Sequence, residues 1–147
     1  MKWRFEQDLD QEELLITLSK QAYDQEVAAL VAYLETFGQL DKLAIKVDDR
    51  IILLAQADVI LVEVVADRLV VEPTSQRFEL KDRLYRFKER LNVADFVQIS
   101  RQTIININHL KSLEASFSGN LLAHLSKGLK TSVSRRYVKN LERTLGI

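Results

Sequence analysis

The side chains best suited to chemistry in this sequence are cations and amides near its C-terminal end. In SRRYVKNLERTLGI (134–147), Val138, Leu141 and Leu145 recur at steps of three and four, the spacing of one apolar helix face. Arg135, Arg136, Lys139 and Arg143 fall on the opposite side, a surface able to contact phosphates or simply to face water. Upstream, SRQTIININHLK (100–111) sets Arg101, Asn106, Asn108, His109 and Lys111 around Ile104, Ile105, Ile107 and Leu110. Guanidinium and amide groups can bond base edges in pairs, whereas Lys mostly neutralises phosphate. Asn side chains also close turns through backbone hydrogen bonds, so the residues alone support both readings.

Charge points the same way. The chain carries 21 basic and 21 acidic side chains, yet residues 1–76 hold seven basic against fifteen acidic, and residues 77–147 fourteen against six. Residues 99–147 alone hold eight basic and two acidic groups. Such asymmetry suits a polyanion partner, and it equally suits two solvated faces of opposite sign. Groups for catalysis are sparse. There are two histidines, no cysteine, and no GxGxxG, GxxxxGK[ST] or HExxH. Asp8, Asp10 and Glu12 open like a calcium loop, but Glu13 stands where the sharp turn needs Gly and Ser19 where a bidentate Glu is needed. Asp48-Asp49 and Asp58 read as hairpin tips and strand edges. His124, between Ala123 and Leu125, reads as a half-buried hydrogen-bond partner. No enzyme activity, metal, cofactor or small-molecule substrate is expected.

These side chains need a scaffold. With 147 residues, 47% hydrophobic, the chain suits one domain with a small attachment, able to build a core without disulfides. The longest run free of Asp, Glu, Lys and Arg, residues 115–126, is too short and polar to span a bilayer. Glu6, Asp8 and Asp10 interrupt any secretory leader, so a cytoplasmic protein is expected. Trp3 and Phe5 alternate with Lys2, Arg4 and Glu6, and Leu14, Ile16 and Leu18 repeat that period, which predicts two strands. Tyr23, Val27, Leu30, Val31, Leu34 and Phe37 then predict an amphipathic helix stopped by Gly38. KLAIKV and IILL flank the turn Asp48-Asp49; VILVEVV and LVVE flank Ala66, Asp67 and Arg68; RFELK follows. A short helix lined by Leu84, Phe87 and Leu91 precedes further strands from Phe96, turned at Ser118-Gly119-Asn120 and Lys127-Gly128. The last helix starts near Ser134, a plausible N-cap. Periodicity thus favours an all-β or α+β domain. A helix-turn-helix would need two adjacent helices in the basic half, and that half is strand-rich.

FVQISRQTIININHLKSL (96–113) and KGLKTSVSRRYVKNLERTL (127–145) resemble the two best-marked segments of the LytTR DNA-binding domain family, and VILVEVVADRLVVE (59–72) is similar to its central strand pair. The resemblance covers about residues 42–147 and leaves residues 1–41 as a strand–strand–helix segment for dimerisation or regulation. It implies an α+β, β-dominated fold of short antiparallel sheets with small helices, whose loops enter major grooves of promoter DNA. Carried over residue by residue, it implies DNA contacts from Arg68, Arg101, Asn108, His109, Lys111, Arg135 and Arg136, to which the cationic face of the last helix adds Lys139. Among these, Arg68, His109 and Arg135 or Arg136 would meet bases, while Arg101 and Lys111 would meet phosphates. Many members carry His where this chain has Asp67, and an acid there would repel phosphate. Ser100, Asn106 and Ser134 are assigned to local hydrogen bonds and capping. The short front resembles a stand-alone subgroup without a receiver domain, often paired with a small inhibitory membrane protein.

The expected function is therefore a sequence-specific, double-stranded DNA-binding transcriptional regulator, working as a homodimer on two half-sites. The rival is a protein-interaction module whose basic face meets an acidic partner. Both predict salt sensitivity, and only the first predicts discrimination among duplexes.

Overall fold

The computed structural model describes residues 1–37 and 41–147. The chain divides into two units, Met1–Phe37 and Gly38–Ile147.

In the first unit, helix α1 (Gln25–Thr36) forms where the apolar stripe predicts it. Asp24 caps it, its side chain accepting from the Val27 N–H at 3.2 Å, and the Lys20 ammonium beside that carboxylate holds its pKa below the usual value. Val27, Leu30, Val31 and Leu34 are only half-buried. The stop expected at Gly38 lies outside the described residues. The two strands expected before α1 do not form: residues 2–7 and 14–18 have no ladder partner. Alternation supplies a face, but a strand also needs a neighbour for its N–H and C=O groups, and an isolated pair is marginal in water. Trp3 (86% exposed), Phe5, Leu14 and Leu15 consequently stand open to solvent.

The second unit begins with a hairpin, β1 (Lys42–Val47) and β2 (Arg50–Ala55), closed by the two-residue turn Asp48-Asp49. A five-stranded antiparallel sheet follows, with spatial order β5-β4-β3-β7-β6. Its strands are β3 (Val59–Val65), β4 (Arg68–Pro73), β5 (Phe78–Leu80), β6 (Phe96–Gln98) and β7 (Thr103–Asn106). Helix α2 (Leu84–Lys88) connects β5 to β6. A three-stranded antiparallel sheet comes next, β8 (Leu110–Ala115), β9 (Leu121–Leu125) and β10 (Lys130–Val133), in order β10-β9-β8. Helix α3 (Arg135–Leu145) ends the chain, closed by Gly146 in the left-handed region (φ 78°), with the Ile147 N–H donating to Glu142 O. This is an α+β fold dominated by short antiparallel strands.

Both faces of the central sheet are covered, which explains why β3 and β4 read as nearly continuous apolar runs. One core packs Val62, Leu69, Val71 and Ile104 against the hairpin (Leu43, Ile45, Leu54) and α2 (Leu84, Phe87). The other packs Leu61, Val97, Ile99 and Ile105 against Ala123, Leu125, Val133 and Leu141 of the small sheet and α3. A register shift between Val59 and Leu61 reconciles sequence with geometry. It lets Val59 and Val62 enter the first core while Ile60 and Leu61 enter the second. Gln56 and Asn106 are the buried polar joints. The Gln56 amide donates to Arg90 O and accepts from the Asn92 N–H at 2.8 Å. The Asn106 amide donates to Val59 O at 3.0 Å and accepts from the Asn108 N–H. No helix of the described residues is long and apolar enough to cross a membrane.

Candidate nucleic-acid interface

Strand register decides which loops share an end of the second unit. Val65 pairs with Arg68, so the Ala66-Asp67 turn closes β3 and β4 at one end of the central sheet. Ala66 takes φ 56°, a left-handed conformation that costs a non-glycine residue about 1–2 kcal/mol. Glu63 pairs with Thr103, and the Val64 N–H donates to Gln102 O at 2.8 Å, which sets the β6–β7 turn (100–102) beside Ala66-Asp67. Ser100 Oγ accepts from the Gln102 N–H, the local role expected of Ser100. The Ser134 N–H donates to Ile99 O at 2.9 Å, bringing the start of α3 to the same end. The Arg135 N–H donates to Asn120 Oδ1 at 3.0 Å, so the β8–β9 connection is anchored there too.

The result is a convergence of Arg68, Arg101, Arg135 and Arg136 from three separate segments. Arg101, Arg135 and Arg136 are exposed, as is Lys139 one helical turn on, and Arg68 is half-buried. Among the described residues none of the five has an ion-pair partner. Arg77 and Lys127 differ, since both lie within 4 Å of the Glu72 carboxylate. Cations left unpaired on a surface can neutralise phosphate without first breaking a contact. Asp67, exposed, is the one acid of the β3–β4 turn.

Asn108 and His109 lie elsewhere. They follow Asn106, which pairs with Phe96, at the opposite end of β7. His109 Nε2 is 2.7 Å from Ala57 O, and Nδ1 is 2.9 Å from Ser126 Oγ. A carbonyl only accepts, so Nε2 carries the proton and Nδ1 takes the Ser126 hydroxyl. Asn108 donates to Asp95 Oδ1 at 3.0 Å. His109 thus links the central sheet to the small one, and Asn108 ties the β7–β8 connection to the start of β6, both at the end away from the arginines. Lys111, exposed on β8, sits at that far end too.

Gln102 was passed over in the sequence. It is exposed beside Arg101, and its side-chain amide, a group able to pair with adenine, has no partner among the described residues. The legible signal was an amide next to an arginine in the turn before an apolar run. Ser134 occupies the N-cap position of α3 but makes no side-chain capping bond; Asn120 accepts from the N–H of Arg135, the first helical residue. His124, half-buried, meets Glu114 Oε1 at 2.8 Å, as a structural partner would. On the sheet face beside Leu61, burial raises the Glu63 carboxyl above the usual carboxylate value, opposed by Arg77 and reinforced by Glu72.

Comparison with known proteins agrees with this architecture. The LytTr DNA-binding domain family matches residues 49–146. Transcriptional regulatory protein LytR of Staphylococcus aureus is 30% identical over 105 residues, 71% of this chain and 43% of the relative. Sensory transduction protein LytT of Bacillus anthracis is 28% identical over 142 residues, 94% of this chain and 58% of the relative. The chain therefore spans about half the length of the curated relatives it matches. A solved LytTr DNA-binding domain from Bacillus cereus superposes with a TM-score of 0.67 at 22% identity, covering 74% of this chain and 99% of that one. With the family matched over most of its length and its antiparallel sheets arranged as in that solved domain, this chain belongs to the LytTR family of DNA-binding domains.

Proposed function

We propose that this chain is a sequence-specific transcriptional regulator that reads promoter DNA through one end of its second unit. The observation that carries the reading is the meeting of three independent segments, the β3–β4 turn, the β6–β7 turn and the start of α3, where Arg68, Arg101, Arg135 and Arg136 have no ion-pair partner and the Gln102 side chain no hydrogen-bond partner among the described residues. Arg68, Gln102 and Arg135 or Arg136 meet base edges in the major groove; Arg101 and Lys139 neutralise phosphates. Asn108 and His109 serve the fold rather than the duplex, and Lys111 stands outside the reading end. The active species is a homodimer on two half-sites, supported by the half-buried stripe Val27, Leu30, Val31 and Leu34 on α1. It works in the cytoplasm, where promoter DNA is.

The test is selection of purified protein against a random duplex library, followed by competition between the winning and a scrambled duplex. A repeated motif favoured by ~10³-fold or more is expected. Arg136→Ala should then weaken the selected duplex most, whereas Arg101→Ala should weaken all duplexes alike and reduce the salt slope by about 0.9. Salt-sensitive binding without any motif would refute sequence-specific regulation and favour an acidic protein partner.

A further inference from the structure

Next to the Ala66-Asp67 turn the second unit holds an open cleft of about 290 Å³, lined by Lys46, Asp48, Arg68, Glu79, Leu80 and Lys81. Three separate strands supply its cations. Lys46 comes from β1, Arg68 opens β4, and Lys81 follows β5, held level with Arg68 because Leu80 pairs with Leu69. Lys46, Arg68 and Lys81 have no ion-pair partner among the described residues, while Glu79 is already engaged by Arg77 at 3.7 Å. Asp48 is the remaining acid; it sits in the β1–β2 turn with φ 54°.

We propose that this cleft is a phosphate seat, taking one phosphodiester of the bound duplex between the ammonium groups of Lys46 and Lys81. The inference rests on the DNA-reading function above and extends it to residues outside the three reading segments. Spacing supports it. Lys81 and the Arg101-Gln102 turn are separated by three strand steps, β5 to β4 to β3 to β7. At about 4.8 Å per step that is about 14 Å. The major groove is about 12 Å wide, so with Gln102 on base edges a separation of this order carries the cleft past the bases to the phosphates that border them. Net cationic lining, openness to solvent and two flexible ammonium groups suit a phosphodiester, which offers acceptors and no donors.

The experiment measures duplex affinity by fluorescence anisotropy between 50 and 200 mM salt, for the full chain and for Lys46→Gln, Lys81→Gln, Asp48→Asn and Lys130→Gln. Each lost phosphate contact lowers the salt slope by about 0.9, so the affinity drop across that range shrinks by about 3.5-fold. Lys46→Gln and Lys81→Gln should both show this while preserving the ratio between selected and scrambled duplexes. Asp48→Asn should tighten binding to every duplex. Lys130→Gln, an exposed cation on β10 outside the cleft, should leave the slope unchanged. Unchanged slopes for Lys46→Gln and Lys81→Gln, with binding by the parent protein intact, would overturn the phosphate seat alone. An equal effect of Lys130→Gln would also overturn it, showing a diffuse field in place of a site. A parent protein that shows no duplex preference would instead bring down the DNA-reading function, and the seat with it.

Discussion

The start of α3 offers a sharp test, because the cap that holds it comes from a distant residue. A helix N-terminus leaves its first four N–H groups without intrahelical partners. Ser134 has the extended backbone of an N-cap (φ −65°, ψ 142°), yet its hydroxyl makes no capping bond. Asn120, fifteen residues earlier, accepts from the Arg135 N–H at 3.0 Å. Asn120→Ala should therefore cost about 1 kcal/mol, the ordinary value of a side-chain cap, whereas Ser134→Ala should cost a few tenths. For a unit of this size, 1 kcal/mol corresponds to a fall in Tm of about 4 °C. Far-UV circular dichroism under urea is the suitable assay, since Trp3 is in the other unit and 86% exposed, a poor reporter for α3. Asn120→Ala should also weaken the selected duplex, because Arg135 and Arg136 ride on the first turn it fixes. If Ser134→Ala proved as costly as Asn120→Ala, the assignment of the cap, and with it the coupling between the β8–β9 connection and the arginines at the start of α3, would be refuted.

Other expectations follow from the same structure. His109→Ala removes both a donor to Ala57 O and an acceptor for Ser126, so it should lower stability by about 1–3 kcal/mol while leaving the ratio between selected and scrambled duplexes unchanged; a lost preference in a still-folded variant would return His109 to the interface. Glu63 has a folded pKa raised by burial, so the folded state holds its proton more tightly than the unfolded chain. Stability must then decline as pH rises through the carboxylate range, and Glu63→Gln should stabilise the protein at neutral pH with a gain that disappears in acid; a gain that grew on acidification would contradict the burial cause. Gly119→Ala places a Cβ 3.0 Å from Arg135 Cδ at a backbone φ of 80°, so denaturant titration should show a loss of about 1–2 kcal/mol and anisotropy a weaker selected duplex. Retained affinity would show that Arg135 can leave that position freely.

Much of the fold was legible because local period and local environment agree. The two-residue turns at Asp48-Asp49 and Ala66-Asp67 formed where polar breaks interrupt apolar runs, and α3 buries Leu141 while exposing the four cations placed opposite it. The first unit shows where this logic stops. Trp3, Phe5, Leu14, Ile16 and Leu18 carry the alternation of strands, but alternation says nothing about whether an edge is present to pair with them. Hydrogen-bond partners in a sheet are non-local, and no side-chain pattern within six residues encodes their absence. Ser134 is the same lesson at smaller scale: its type and place suit a cap, yet its hydroxyl makes no capping bond, and the Arg135 N–H is served by an acceptor fifteen residues away.

The interface was harder to read for a geometric reason that the run Arg101 to Lys111 makes explicit. Cations and amides flank TIIN on both sides, Arg101-Gln102 before it and Asn108-His109 after it, and in composition either pair could meet bases. Between them the chain crosses the central sheet as β7, four residues at about 3.3 Å each. The pairs therefore stand at opposite ends of one strand, more than about 10 Å apart, and they cannot join the same convergent set. Which pair joins the convergent set is decided by loops remote in sequence, Ala66-Asp67 through the bond from Val64 and the α3 start through the bond to Ile99. Those two backbone contacts select Arg101-Gln102, and they release Asn108 and His109 to hold Asp95, Ala57 and Ser126. The convergent set thus depends on the register of the ladder, so a shift that moved β7 by one residue against β3 would disassemble it without altering a single side chain in it.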